Sequence, residues 1–453
     1  MSTTKIAVIG MGYVGIPAAV LLADVDGFNV TGIQRRSKRS GWKIECLNEG
    51  KNPIGGNEPG LSELIERVVK QKQSFQVTDS YSVMKDMDYI LIDVQTPTDE
   101  THIPRYASLR EVSSHVGKYL QKEATVIIES TCAPGTTNHI VRPIIEEHSG
   151  LIAGQDFHLV FSYERVMVGR LLYNIINYPR IVGGITPECT ERAMWLYKHI
   201  VKEELLPTDA LTAEVAKVVE NTYRDVNVAF ANEVALACES LGVDVYSVRE
   251  MVNSLPFNSN AYRDLHIPGA GVGGHCLPKD PWLLKYGVDT YGRSKVDFAV
   301  IQASRQVNMF MPQHTVMLTI EALSKRVDTA PENQIIAVLG VAFLENSDDT
   351  RNTPTADVIR LLREKNYEVR AHDPHVKQRR FNYPLSAILD EVVSNADAIV
   401  LMTKHKEYKE VSLSRLGELM RHRILVDGRN VWNAEEARKA GFVYIGVGKP
   451  RAF

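Results

Sequence analysis

The segment Gly269-Ala-Gly271-Val-Gly273-Gly274-His275-Cys276-Leu-Pro-Lys279-Asp280 carries the densest chemical signal in the chain. A cysteine packed only for its volume needs no run of glycines before it. Glycines let a substrate or a second backbone come close. The cationic neighbour Lys279 favours the thiolate, and Asp280 can position water or move a proton, so Cys276 reads as a nucleophile. His275 reads as a loop histidine facing outwards rather than as the base. The other cysteines, Cys46, Cys132, Cys189 and Cys238, are scattered and form no C-x-x-C pair. By default such residues are small buried apolar groups. No disulfide framework, zinc site or other metal is expected, and reduced thiols suit a reducing compartment.

A second constellation lies in the run Thr212–Leu241, which has helical periodicity, Thr212 as N-cap and Gly242 as a stop. Lys217 and Asn221 stand at i and i+4, on one face. The lysine stem passes along the apolar run Ala213–Val219. A desolvated lysine has a lowered pKa and can act as a base or hold an oxyanion; the alternative is a lysine snorkelling to the surface. About 30 helical residues would make a rod of roughly 45 Å, a length suited to joining domains or forming a subunit interface.

These residues need a frame. Strand Lys5–Ile9 runs into Gly10-Met-Gly12-Tyr13-Val14-Gly15 and an apolar helix, the context in which G-x-G-x-x-G cradles a pyrophosphate at a helix N-terminus. Strand Phe28–Ile33 ends in Gln34, then Arg35, Arg36, Lys38 and Arg39. Gln34 can bond a ribose hydroxyl, as in NAD binding. The arginines can equally hold the 2′-phosphate of NADP, or form a solvated loop. Further strands at Tyr89–Val94, Thr125–Glu129 and His158–Phe161 predict a parallel, doubly wound sheet. Asn258–Pro281 reads as an ordered loop, Lys295–Leu323 as helical, and Asp328–Asn333 as a linker. A second α/β unit follows, with strands at Gln334–Phe343, Glu368–His372, Ala398–Met402 and Ile424–Asp427, and a helix opened by Thr353-Pro354. It lacks the three-glycine motif and suits another nucleotide-like ligand. The expected architecture is α/β: two Rossmann-like doubly wound parallel-sheet domains (1–208 and 329–453) joined by a central helical domain with a long helix (209–328).

A chain of 453 residues exceeds one ordinary domain, and 44% hydrophobic with 24% charged residues is an ordinary globular composition. A net charge of −3 gives no reason to expect nucleic acid or an anionic membrane as partner. The N-terminus lacks the layout of a signal peptide, and no apolar run approaches the roughly 18 residues of a span. A cytoplasmic location is expected.

Together these motifs resemble the UDP-glucose/GDP-mannose dehydrogenase family, over nearly the whole chain. Gly10–Gly15, Val94-Gln-Thr96-Pro-Thr98, Glu129-Ser-Thr131-Cys-Ala-Pro-Gly135 and Tyr163-Glu164-Arg165-Val166 look like its N-terminal segments. Ala213–Asn221 and Gly271–Asp280 look like its two catalytic segments, and Asp348–Pro354 and Asp427-Gly-Arg429 like later ones. The resemblance implies a Rossmann domain for NAD, a central dimerisation domain and a nucleotide-sugar domain, hence a homodimer or higher oligomer. It implies that Cys276 attacks the C6 aldehyde of the sugar, that Lys217 and Asn221 stabilise oxyanions, and that Asp280 assists proton transfer through water. Thr131 and Glu164 would support that water. Gly10, Gly12, Tyr13, Val14, Gly15, Gln34, Arg39, Thr96, Thr131, Lys279 and Arg351 would face the cofactor. Glu164, Arg165, Val166, Lys217, Asn221, Gly273, Phe343 and Arg429 would face the sugar nucleotide, with Arg263 reaching the substrate of a neighbouring subunit.

Gln34 replaces an acidic residue, Leu344 stands where the family often has lysine, and Tyr163 replaces a proline. The run Glu164–Arg170 with Asn177–Gly184 favours the branch acting on UDP-N-acetyl-hexosamines, UDP-N-acetylmannosamine or UDP-N-acetylgalactosamine/glucosamine. UDP-glucose oxidation, a two-electron hydroxyacid-type dehydrogenase and a silent nucleotide-sugar sensor are the rival readings.

Overall fold

A computed structural model of the chain describes residues 3–38, 40–56, 58–255, 264–376 and 383–451. Short, mostly apolar runs such as Tyr89–Ile92 and Thr125–Ile128 are buried along their whole length. That is the pattern of parallel strands covered on both faces. The chain divides into two compact units. One comprises Met1–Glu220 with Lys279–Val296, the other Asn221–Pro278 with Asp297–Phe453.

The first unit holds strands β1 (Thr4–Ile9), β2 (Phe28–Ile33), β3 (Phe75–Thr78), β4 (Tyr89–Ile92), β5 (Thr125–Ile128), β6 (His158–Phe161), β7 (Arg180–Gly184) and β8 (Leu205–Asp209). Their order is β3-β2-β1-β4-β5-β6-β7-β8. The order reverses at β1, the switch point where such folds bind ligands outside the carboxyl ends of the strands. One pairing departs from the expected parallel sheet: β6 and β7 are antiparallel, Val160 opposite Gly184. Strands β3, β7 and β8 were not read from the sequence. They are short, and β7 ends in two glycines.

The second unit holds β9 (Ile335–Leu339), β10 (Glu368–His372), β11 (Leu385–Ser386), β12 (Ala398–Leu401), β13 (Ile424–Asp427) and β14 (Val443–Gly446). Every pairing in the order β11-β10-β9-β12-β13-β14 is parallel. Thr353 caps the helix Pro354–Glu364 by accepting from the Thr355 N–H, as its sequence predicts.

Three helix limits differ from expectation. The long helix spans Ala210–Leu241, 32 residues and so about 48 Å. Its start is held by Asp209, whose Oδ1 accepts from the Thr212 N–H at 2.9 Å and whose Oδ2 accepts from the Thr212 hydroxyl at 2.6 Å. Strand β8 feeds straight into the helix, so the capping acid is the strand's last residue. A helix at Asp280–Tyr291 replaces the tail of the expected loop. Pro281 falls in its first turn, where a missing N–H costs no bond. The next long helix opens at Ala299 rather than Lys295.

Candidate active site

The glycine turn after β1 separates into two kinds of glycine. Gly10 has φ +108°, and a Cβ there would lie 2.3 Å from the Asp93 carbonyl oxygen. A Cβ on Gly15 would lie 2.1 Å from the Gly10 carbonyl oxygen. These two are required by the fold itself. A Cβ on Gly12 would meet no protein atom within 4 Å. That open space, against a helix start (Gly15–Ala23) whose N-cap Val14 offers no side-chain bond, fits a pyrophosphate drawing on the helix's unsatisfied N–H groups. Tyr13 and Val14 flank it, half-buried. Gln34 is tied to this turn: its Oε1 accepts from the Met11 N–H at 3.1 Å and its Nε2 donates to the Ser40 hydroxyl at 3.1 Å. Arg39 lies outside the described residues.

The ends of β4 and β5 gather several of the expected residues. The Thr96 hydroxyl donates to the Thr131 carbonyl at 2.6 Å. Lys279 Nζ donates to the Thr96 carbonyl at 3.1 Å, and lies 3.8 Å from Asp280 Oδ1. Lys279 and Asp280 are both buried, so the lysine is a fixed cation beside these strand ends rather than a solvated one. Cys132, next to Thr131, is buried and its thiol is pushed up by desolvation, then by the Glu214 carboxylate. It is thus no nucleophile.

Beneath the same strand ends lies a network that sequence reading missed. Arg180, from β7, donates to the Glu129 carboxylate and, at 2.9 Å, to the Ser162 carbonyl. The Tyr197 hydroxyl donates to Glu129 Oε1 at 2.6 Å, and the guanidinium stacks 3.8 Å over the Tyr197 ring. Asp93 lies half-buried with them. Desolvation, then the Glu129 carboxylate, raises its carboxyl well above the usual range. One arginine thus faces two acids under the glycine turn.

Lys217 is 6% exposed, which overturns the snorkelling alternative. Its Nζ donates to the Glu164 carbonyl at 3.0 Å and sits 5.0 Å from the Tyr163 ring centroid. Tyr163, in place of proline, also donates its hydroxyl to Glu220 Oε2 at 3.2 Å. Arg165 Nε donates to the same oxygen at 2.9 Å. The Glu164 carboxylate accepts from the Val166 N–H. Glu58, not anticipated, accepts from the N–H groups of Gly169 and Leu171 and so anchors the far end of this loop. A lone acid in a Gly/Pro-rich stretch gives no pattern by which to find it.

In the second unit the glycines before Cys276 have a structural cause. A Cβ on Gly273 would lie 2.5 Å from Phe343 Cβ, and one on Gly274 (φ +88°) 2.9 Å from the Phe343 ring. The Gly274 N–H donates to the Arg351 carbonyl at 2.9 Å, and Asn352 Nδ2 donates to the Gly274 carbonyl at 3.0 Å. Arg429 donates from Nη2 to the Gly271 carbonyl at 3.1 Å and from Nε to the Met402 carbonyl at 2.8 Å. Phe343 and Arg429 therefore brace the turn. The Arg351 guanidinium is engaged by Asp349 at 2.9 Å. Cys276 follows this seat and is the exposed one of the five cysteines; Cys132, Cys189 and Cys238 are buried and Cys46 half-buried. Asn221, one turn after Lys217 on the long helix, is half-buried. Arg263 lies outside the described residues.

His375, His405 and Glu407 also place ligand-type atoms within 4.8 Å of one another. Both His405 nitrogens are committed, Nδ1 accepting from the Asn346 N–H at 2.9 Å and Nε2 facing Asp373 Oδ2 at 3.1 Å. Among the described residues no helix is long and apolar enough to cross a membrane.

Comparison with known proteins matches the chain in three segments. Residues 4–201 match the NAD binding domain of the UDP-glucose/GDP-mannose dehydrogenase family, 211–309 its central domain and 337–434 its UDP binding domain. The chain is 38% identical to a UDP-N-acetyl-D-mannosamine dehydrogenase of Pyrococcus horikoshii, covering 98% of this chain and 99% of that one. It is 30% identical to an NDP-N-acetyl-D-galactosaminuronic acid dehydrogenase of Ralstonia solanacearum, over 95% of this chain and 96% of the other. The crystal structure of an NDP-N-acetyl-D-galactosaminuronic acid dehydrogenase from Methanosarcina mazei superimposes with a TM-score of 0.88 at 43% identity, covering 99% of this chain and 96% of that one.

Proposed function

Because the chain belongs to the UDP-glucose/GDP-mannose dehydrogenase family, we propose that it oxidises the C6 hydroxymethyl group of a UDP-N-acetyl-hexosamine to the carboxylate, in two hydride transfers joined by a covalent adduct on Cys276. The chain is an NAD-dependent nucleotide-sugar dehydrogenase. The four-electron course and the sugar are the proposal, and the product would serve as a precursor for polysaccharide synthesis in the cytoplasm.

The observation that carries the covalent step is the exposure of Cys276 directly after a turn immobilised by Phe343, Arg351 and Arg429. A nucleophile on a fixed turn needs no reordering before attack. The thiolate adds to the C6 aldehyde left by the first oxidation, giving a thiohemiacetal. Loss of the second hydride from C6 gives a thioester. Water then displaces the thiol and releases the uronate, so a reactive aldehyde never leaves. The Gly12 turn would hold NAD, which would supply the hydride acceptor for both oxidations by exchange at one site.

Lys217 and Asn221 stabilise the developing C6 oxyanions, Asp280 moves protons through a water held by Thr131, and Glu164 assists thioester hydrolysis. Arg165, Val166, Gly273, Phe343, Arg429 and Arg263 hold the sugar nucleotide, while Lys279, Thr96 and Arg351 serve the cofactor side. The domain limits 1–208, 209–328 and 329–453 describe three parts with these three tasks. The N-acetylated sugar is favoured by the names of the relatives, which act on N-acetylmannosamine and N-acetylgalactosamine derivatives. The long helix would pair two copies.

The test is a screen of UDP-sugars with NAD and NADP, following reduced cofactor and uronate together. Two cofactors reduced per uronate, with an N-acetylated sugar preferred, is the expected result. A ratio of one would overturn the four-electron reading, and a preference for UDP-glucose would overturn the sugar.

A further inference from the structure

Gln34 stands where NAD-specific folds commonly carry an acid that both bonds the adenosine ribose and repels a 2′-phosphate. An amide has no charge with which to repel. Its Oε1 is moreover committed to the Met11 N–H at 3.1 Å. Two residues further on is Arg36, the type of side chain that receives a 2′-phosphate through its planar fork. By the usual signals this chain should accept NADP. Yet Arg36 is already occupied: its Nε donates to Asp79 Oδ2 at 2.9 Å and its Nη1 to Glu45 Oε1 at 2.7 Å. Asp79 directly follows β3, and Glu45 lies on the helix Trp42–Asn48. The guanidinium lowers the carboxyl pKa of both. Lys43, the nearest other cation of that helix, donates to the Met11 carbonyl at 2.8 Å. Arg35 faces Glu111 at 3.7 Å.

We infer that Asp79 and Glu45 set the choice of NAD over NADP, by holding the Arg36 fork and by placing two negative charges beside the adenosine ribose. This rests on the assignment of the glycine turn as the cofactor site. The work of excluding the 2′-phosphate, done elsewhere by one acid at the end of β2, is here moved to the end of β3 and to the helix that follows β2. The three side chains are 45–58% exposed, so the ion pairs themselves add little stability. Their positions matter for recognition instead. Two like charges facing an incoming phosphate, and a blocked bidentate donor, both act against NADP alone.

The test compares kcat/KM for NADP and for NAD in the wild type, in the double variant Asp79→Asn/Glu45→Gln, and in that variant with Arg36→Ala added. Calorimetric binding of adenosine 2′,5′-bisphosphate and of 5′-ADP provides a second measure, independent of turnover. The NADP/NAD ratio should rise about tenfold or more in the double variant and fall back when Arg36 is removed, because a freed guanidinium binds phosphate bidentately. Adenosine 2′,5′-bisphosphate should tighten over 5′-ADP in the same pattern. The single substitutions Asp79→Asn and Glu45→Gln repeat the test should the double variant fold poorly. An unmoved ratio, a gain that Arg36→Ala leaves wholly undiminished, or a wild type that already prefers NADP overturns the proposal. Binding of neither adenosine probe to any form would overturn the site assignment with it.

Discussion

Lys217 Nζ donates 3.0 Å to the backbone carbonyl of Glu164 and, at 6% exposure, lies 5.0 Å from the Tyr163 ring centroid. A buried ammonium beside an aromatic face is a preorganised donor for an oxyanion brought against it. Lys217→Ala should lower kcat by about 10²–10³, the cost of losing one preorganised oxyanion donor, while the fold stays intact by circular dichroism. Lys217→Arg should not rescue it, because a planar fork does not reproduce a compact ammonium. Turnover within threefold of wild type in the alanine variant would remove Lys217 from the mechanism.

The contrast between Gly10 and Gly12 predicts two different phenotypes from the same substitution. Gly10→Ala forces a Cβ 2.3 Å from the Asp93 carbonyl at φ +108°, and should destabilise the protein by about 1–3 kcal/mol. Gly12→Ala meets no protein atom within 4 Å, and should change stability by less than about 0.5 kcal/mol. It should nevertheless weaken NAD at least about tenfold, since the methyl occupies the pyrophosphate's approach. Urea denaturation and NAD titration of both variants separate the effects. Equal loss of stability in the two would refute the division.

Glu214 gives a pH dependence with a definite sign. It is buried and accepts from Gly135 N–H at 2.6 Å, Thr137 N–H at 2.8 Å and the Thr137 hydroxyl at 2.6 Å. Desolvation outweighs these donors and pushes its carboxyl up from 4.5 to about 7. Between those values the folded state binds more protons than the unfolded, so this residue's contribution to stability is fully present below about pH 4.5 and is lost as pH rises to about 7. Glu214→Gln should flatten the stability profile between pH 5 and 7, whatever it does to the absolute level. Chemical denaturation at pH 5, 6, 7 and 8 reads this directly, and an unchanged slope would show that the donors win instead.

Local patterns were legible in the sequence because their causes are local. The glycine turn, the Thr353-Pro354 helix start and the Lys217/Asn221 spacing each depend on a few adjacent residues. The Arg180–Glu129 pair spans 51 positions and exists only because β5, β6 and β7 lie side by side. Nothing in the spacing of Asp93, Glu129 and Arg180 announces it. Arg36 failed for the opposite reason: the residue was visible as a basic group, but its two acidic partners come from separate elements. The glycines before Cys276 read as room for a substrate or a second backbone; the Arg351 carbonyl closes on Gly274, and Phe343 fills part of the room.

The long helix carries a stripe of exposed apolar residues at Leu211, Val215, Val219, Tyr223 and Phe230, the last two 69% and 59% exposed. Steps of four and seven residues keep these side chains within one face of a helix. An exposed apolar face of this kind suits association, and the occupant proposed above is a second copy of the same helix. In a symmetric pair each substitution acts twice, once from each copy. Tyr223→Glu combined with Phe230→Glu would then bury four carboxylates per dimer, at a cost no ordinary interface tolerates. Light scattering after gel filtration should give a dimer or larger assembly for the wild type and half the mass, or less, for the variant. A wild type that is monomeric at micromolar concentration, or a variant of unchanged mass, would place the interface elsewhere.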